Sequence, residues 1–142
     1  MTATGGALAR DGYAPEVPDD LDDLLAANDA FYQAFEQRDL DAMSEVWLHR
    51  DHVVCIHPGW SALRGWAAVS ASWFALFQND APMQFILTEV HPEVRGDVGW
   101  VTLDENLIAG AQAGTVAALN LFERVDGAWR MVAHQGTGIV PQ

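Results

Sequence analysis

Between Leu21 and Phe35 the apolar positions fall three and four residues apart, at Leu21, Leu24, Leu25, Phe31, Tyr32 and Phe35. That spacing gathers them on one face of a helix. Pro18-Asp19-Asp20 opens the helix with carboxylates where its dipole favours negative charge. Asn28 lies at the flank of the stripe and is expected to touch water. Asp39 caps a second, shorter helix in which Leu40, Met43 and Trp47 share a face, with Asp41 in its first turn. A short apolar strand from Val53 to His57 follows and runs into the corner His57-Pro58-Gly59-Trp60. Proline disfavours helical angles at the residue before it, and glycine permits a sharp reversal, so the His57 imidazole is held at the mouth of a strand beside Trp60. Trp66, Val69, Trp73, Leu76 and Phe77 then repeat at helical spacing up to Gln78, and Asn79-Asp80-Ala81-Pro82 stops that helix.

From Met83 the period changes to two. Phe85, Leu87 and Glu89 alternate with Ile86, Thr88 and Val90 in a long strand that turns at Gly96-Asp97, a type II′ signal. Val98 to Ile108 forms the next strand and residues 110–114 a loose connection. Thr115 to Val125 is another strand, Asp126-Gly127 a type I′ signal, and Ala128 to about Gly136 the last. Connections this short make these strands antiparallel neighbours. Val101, Leu103 and Leu107 face one way and Val98, Trp100 and Ile108 the other, so neither sheet face is fully solvated. One is expected to meet the helices and the other a partner subunit.

Composition narrows the function classes. Residues 1–17 read as a flexible tail, and 18–142 as a single domain of a size that buries about two-thirds of its unfolded surface. Twenty acidic residues stand against seven basic ones, all arginine, for a formal charge of −13. That balance disfavours phosphate backbones and anionic membranes, so neither nucleic acid nor membrane is an expected partner. With no basic start and no apolar run of membrane-spanning length, a cytoplasmic location is expected. Cys55, the single cysteine, sits in an apolar strand and reads as a small buried hydrophobe. His49, His52 and His57 have a spacing that could suggest a metal, but they span a helix end, a loop and a strand. No metal and no cofactor are expected.

The segments CIHPGW at 55–60 with LRG at 63–65, WVTLDEN at 100–106, LNLFERVDGAWR at 119–130, and the ending from His134 to Thr137 carry a family resemblance. On three helices followed by a bent antiparallel sheet, they resemble the SnoaL-like branch of the nuclear-transport-factor-2-like superfamily, over Asp19 to Gly138. WVTLDEN and the ending also resemble the association domain of calcium/calmodulin-dependent kinase II. The resemblance implies a cone-shaped α+β fold in which a long first helix crosses a curved antiparallel sheet, encloses a cavity, and dimerises through the outer sheet face. It also implies a choice among steroid isomerases, polyketide cyclases, dehydratases and members without activity, which fold alone does not make. Against the isomerase pattern, the catalytic carboxylate falls on His57, the oxyanion-hole tyrosine on Phe31, and the protonated aspartate near Ala118.

The polar groups that could converge on such a cavity are Tyr32, Glu105, Asn120 and His134, each among apolar neighbours. Glu105 shares a strand face with Val101, Leu103 and Leu107, and a carboxylate there needs a partner, with His57, His134 and Arg64 as candidates. Asn120 lies between Ala118 and Phe122 on its face, and His134 falls in phase with Val132 and Arg130. The expected enzyme has His57 as general base, with an unperturbed pKa of about 6.5, Glu105 setting its tautomer or charge, and Asn120 or His134 donating to a developing oxyanion. Tyr32, Trp60 and Arg64 complete the lining for a small apolar or carbonyl-containing ligand. The alternative is a non-catalytic homodimeric binding or assembly module, and a third reading fills the interior with the protein's own aromatic side chains.

Overall fold

The computed structural model describes residues 18–140, so the expected N-terminal tail lies outside the described residues. The helices are α1 (Pro18–Gln37), α2 (Leu40–Val46) and α3 (Trp66–Leu76). The strands are β1 (Val54–Ile56), β2 (Leu63–Arg64), β3 (Met83–Arg95), β4 (Val98–Ala109), β5 (Gln112–Val125) and β6 (Ala128–Gly138). They form one curved, unclosed sheet in the order β2-β1-β6-β5-β4-β3. The four long strands are an antiparallel meander, as their short connections require. β1 instead joins the edge of β6 in parallel, which makes the sheet mixed rather than purely antiparallel. Parallel pairing is open to β1 because β2, α3 and the first three long strands intervene before β6.

Local chemistry explains most boundaries. Asp39 accepts from the Ala42 N–H at 3.1 Å and starts α2, while Trp47 leaves it in an extended conformation and bridges to Met131. At the corner after β1 the Trp60 N–H donates to the His57 carbonyl at 2.8 Å, with Pro58 and Gly59 between them. Gly59 has φ +83°, the angle a type II turn needs at its third residue. Of the hairpin turns, the last has both Asp126 and Gly127 at positive φ, as in type I′, and the first has Gly96 alone, as in type II′. The 110–114 connection is tighter than the sequence suggested. Gly110 and Ala111 alone make the turn, and β5 begins at Gln112. The two-residue strand β2 follows no periodicity and is held by pairing with β1 and by Leu63 packing against the core.

Two bulges reset the alternation. In β3 the register slips between Thr88 and His91, and Glu89 takes φ +54°. Phe85 and Leu87 therefore pack against the core before the bulge and Val94 after it, while Glu89, in phase with the first two by sequence, is exposed. In β6, Leu121 pairs with Ala133 and Phe122 with Met131, so Val132 is the extra residue. His134 thus shares the inner face with Met131 and Trp129 rather than with Arg130, which is exposed. Bulges also sharpen the local twist and bend the strand that carries them.

α1 lies across the inner face and buries Leu24, Phe31, Tyr32 and Ala34 against Val101, Leu103, Ala118 and Phe122. Each large apolar side chain so buried stabilises the fold by about 1.5–3 kcal/mol. Arg124 fastens the start of α1, forming a salt bridge to Asp20 at 2.5 Å and donating to the Gly96 carbonyl at 2.9 Å. Gly99 lets α1 approach β4, since a Cβ there would stand 2.9 Å from one Leu24 methyl and 3.0 Å from the other. Gly99→Ala should therefore lower unfolding free energy by about 1–3 kcal/mol through overpacking, measured by chemical denaturation.

Candidate functional site

Four elements bring the buried polar side chains together. α1 supplies Asn28 and Tyr32, β4 Glu105, β5 Asn120, and β6 His134. Asn120 lies opposite His134 in the β5–β6 register and opposite Val101 in β4. Glu105 lies four pairs further along, opposite Val116 and Leu87. Tyr32 spans the gap, donating its hydroxyl proton to Glu105 Oε2 at 2.5 Å and lying 3.1 Å from Asn120 Nδ2. Asn120 Nδ2 also donates to Asn28 Oδ1 at 2.9 Å, and Asn120 Oδ1 lies 2.6 Å from His134 Nδ1.

These contacts correct three expectations. The partner of Glu105 is Tyr32, not His57, His134 or Arg64. Arg64 is exposed on the short edge strand β2, because its position there turns it outward. Asn28 is only 1 % exposed, since the helix face that buries Leu24 and Phe31 is wide enough to take it inside. The signal available in the sequence was its spacing, four residues before Tyr32 on one helical face.

His57 belongs to a second, separate group. Its Nε2 lies 2.9 Å from Ser72 Oγ, and that hydroxyl donates to the Val69 carbonyl at 2.6 Å. With the serine proton directed at a carbonyl, His57 must carry its own proton on Nε2, leaving Nδ1 as the lone pair. Ser72, which no spacing in the sequence marks out, therefore fixes the His57 tautomer in place of Glu105. The imidazole meets the rings of Trp60 and Trp73 edge-on, with centroids 4.7 and 4.8 Å away. Trp73 is fully buried, whereas Trp60 is 44 % exposed and covers the histidine from outside. Cys55 Sγ stands 3.6 Å from His57 Nε2, and burial pushes its thiol up to about 12, so it is neutral. Phe31 connects the two groups, touching Tyr32, His134 and Trp73.

Burial sets the charges. Removal from water pushes the Glu105 carboxyl up to about 7, against a smaller opposing effect of the Tyr32 hydrogen bond. Tyr32 is raised far above the usual phenol range by burial first and then by the adjacent carboxyl. Burial holds His57 down at about 4 and His134 at about 3, the latter also through the charge of His57, so both are neutral near pH 7. A carboxyl poised near neutrality suits proton exchange, whereas a histidine at about 4 is a weak base at that pH. Among the described residues no cluster of three or more His, Cys, Asp or Glu side chains could hold a metal. His49 instead stacks on Trp66 and contacts the Ser44 carbonyl, and His52 pairs with Glu123. Among the described residues, no helix is long and apolar enough to cross a membrane.

Comparison with known proteins gives three informative relatives. The chain is 39 % identical to a Thiobacillus denitrificans protein provisionally named a calcium/calmodulin-dependent protein kinase type II association domain, covering 82 % of this chain and 94 % of that one, with a TM-score of 0.76. It is 33 % identical to a Streptomyces avermitilis protein provisionally named a dehydratase of the NTF2-like family, over 88 % of this chain and all of that one, with a TM-score of 0.82. It is also 30 % identical over 114 residues to the F-box protein SKIP8 of Arabidopsis thaliana, covering 80 % of this chain and 48 % of that protein, so the chain spans about half the length of this relative. Residues 24–141 match the SnoaL-like domain family, and with the helices packed on a curved sheet in the α+β cone arrangement of the NTF2-like proteins, the chain belongs to that family.

Proposed function

We propose that the protein binds a small carbonyl compound and moves a proton on it, as an isomerase, cyclase or dehydratase does, with Glu105 as the proton-exchanging group. The observation that carries this reading is the Glu105 carboxyl itself, 4 % exposed on an apolar sheet face and set near neutrality, with Tyr32 bonded to one oxygen. A base whose pKa matches the working pH combines a useful ionised fraction with sufficient basicity. His57 was the expected base, but its Nε2–H is directed at Ser72 and burial weakens its Nδ1. In this reading His57 and Trp60 form the wall of the site. The dehydratase name of the Streptomyces relative supports the reaction class.

A second reading, a non-catalytic assembly module, is favoured by a different observation. Phe31, Trp73, His57 and His134 are all buried and pack on one another, so the interior is occupied by the protein's own rings. The names of the kinase-association and F-box relatives point the same way. Both readings include a homodimer formed through the outer sheet face, where Ile86, Val90, Ile108 and Leu119 are exposed around a shallow basin of about 410 Å³ lined by Thr102, Ala117 and Gln135. Apolar side chains grouped on one face suit a subunit contact.

Exchange of α-protons for deuterium in a panel of small ketones and enones, followed by NMR, tests the reaction. The wild-type rate should rise with pH and level off above about 7 as Glu105 ionises. Glu105→Gln should lower it by about a hundredfold or more, while His57→Gln should leave a measurable rate. A panel with no exchange above buffer would move the assignment to the assembly reading. For the dimer, Leu119→Arg should give a folded monomer by light scattering, because it buries a charge without a partner at the contact. An unchanged dimer would exclude that face.

A further inference from the structure

The chain of hydrogen bonds ending on Glu105 has one direction, and Asn120 sets it. Asn28 Oδ1 accepts from Asn120 Nδ2, so that end of the Asn120 amide is the nitrogen. The same nitrogen faces the Tyr32 oxygen at 3.1 Å, which must therefore accept, and the Tyr32 proton is left to Glu105. At the other end Asn120 Oδ1 can only accept, so His134 carries its proton on Nδ1. Protons thus run from His134 to Asn120, from Asn120 to Tyr32, and from Tyr32 to Glu105. With the amide reversed, Asn120 Oδ1 would compete with Glu105 for the single Tyr32 proton, and His134 would have to accept on Nδ1.

Resting on the assignment of Glu105 as the proton-exchanging group, we infer that Asn120 is a positioning residue that acts through Tyr32. Its amide commits the Tyr32 proton to Glu105 Oε2 and leaves Oε1 to exchange protons with the substrate, while holding His134 in its Nδ1–H form. The donor bond from Asn120 polarises the Tyr32 hydroxyl and strengthens its bond to the carboxylate. Register makes this possible, since Asn120 is paired with His134 across β5–β6 and lies under Tyr32 of α1. The titratable groups in the chain are Tyr32 on α1, Glu105 on β4 and His134 on β6, and His57, after β1, is the group whose charge bears on His134. Glu36 is bonded to the Phe85 N–H at 2.7 Å and is not a member of the chain.

The test is a pH titration of the Glu105 side-chain carboxyl by carbon NMR, with the His134 tautomer read from its ring nitrogens, in the full chain without ligand. Asn120→Leu should raise the proton affinity of Glu105 by about threefold or more and remove the Nδ1–H preference of His134. Tyr32→Phe should raise the affinity of Glu105 further but leave His134 in its Nδ1–H form, because Asn120 Oδ1 still accepts from it. A general loosening of the core would disturb both ends in both variants, so that pattern overturns the inference. So does an unchanged Glu105 titration in Asn120→Leu. If that variant does not fold, Asn120→Asp keeps the shape while offering Tyr32 an acceptor, and should raise the affinity of Glu105 by more than Asn120→Leu is expected to; no change there refutes the role. Loss of ketone exchange activity has no bearing on these titrations, so the failure of the reaction class and the failure of the Asn120 assignment are separable.

Discussion

The hydrogen bond from Tyr32 to Glu105 is the contact on which the interior depends. A carboxyl removed from water on an apolar sheet face is costly unless something donates to it, and the donor comes from a helix seventy-three positions earlier in the chain. Satisfying that carboxyl fixes the rotation of α1, because the same turn of helix must also deliver Phe31 to the aromatic core and Asn28 to Asn120. The helix is thereby tied to the sheet by directional bonds as well as by apolar contact. The Arg124 ion pair with Asp20 fixes its starting end.

Two buried polar groups, separated by aromatic rings, divide the labour within the domain. The Glu105 group is a connected chain across three strands and a helix, and it includes a carboxyl held near neutrality. The His57 group is local, made by one turn of α3 and the corner after β1, and its histidine is neutral and already bonded. Both histidines are depressed by the same desolvation that raises Glu105, which follows from burial opposing charge of either sign. Asn28 Nδ2 and the Trp73 indole N–H are buried without a protein acceptor, and such donors are places where water or a ligand polar group gains most by entering.

Much of this was legible in the residues because it depends on local rules. The helical stripe of α1, the Asp39 cap, the Pro58-Gly59 corner and the type I′ turn at Asp126-Gly127 each follow from the chemistry of a few adjacent side chains. Periodicity also placed Glu105, Asn120 and Tyr32 among apolar neighbours, and the family resemblance supplied the curved sheet that no spacing argument could. What local rules missed were features defined by pairing. β2 is a strand because β1 pairs with it, and the Gly110-Ala111 turn forms because β4 and β5 stay in register to their ends.

The sequence by itself therefore determined the three helices, β1 and the four long strands, their order, and which residues were candidates for the interior. Tertiary structure decided who meets whom. One extra residue at Val132 turned His134 to the inner face beside Met131, and one at Glu89 expelled a carboxylate that simple alternation would have buried. Hydrogen-bond partners of buried groups are set by distances of a few tenths of an ångström across elements remote in the chain, and a one-residue slip in a strand reverses every side chain beyond it. For that reason Glu105 could be recognised from its neighbours as a group in need of a partner, while Tyr32 as that partner, and Ser72 as the partner of His57, emerged only from the packed fold.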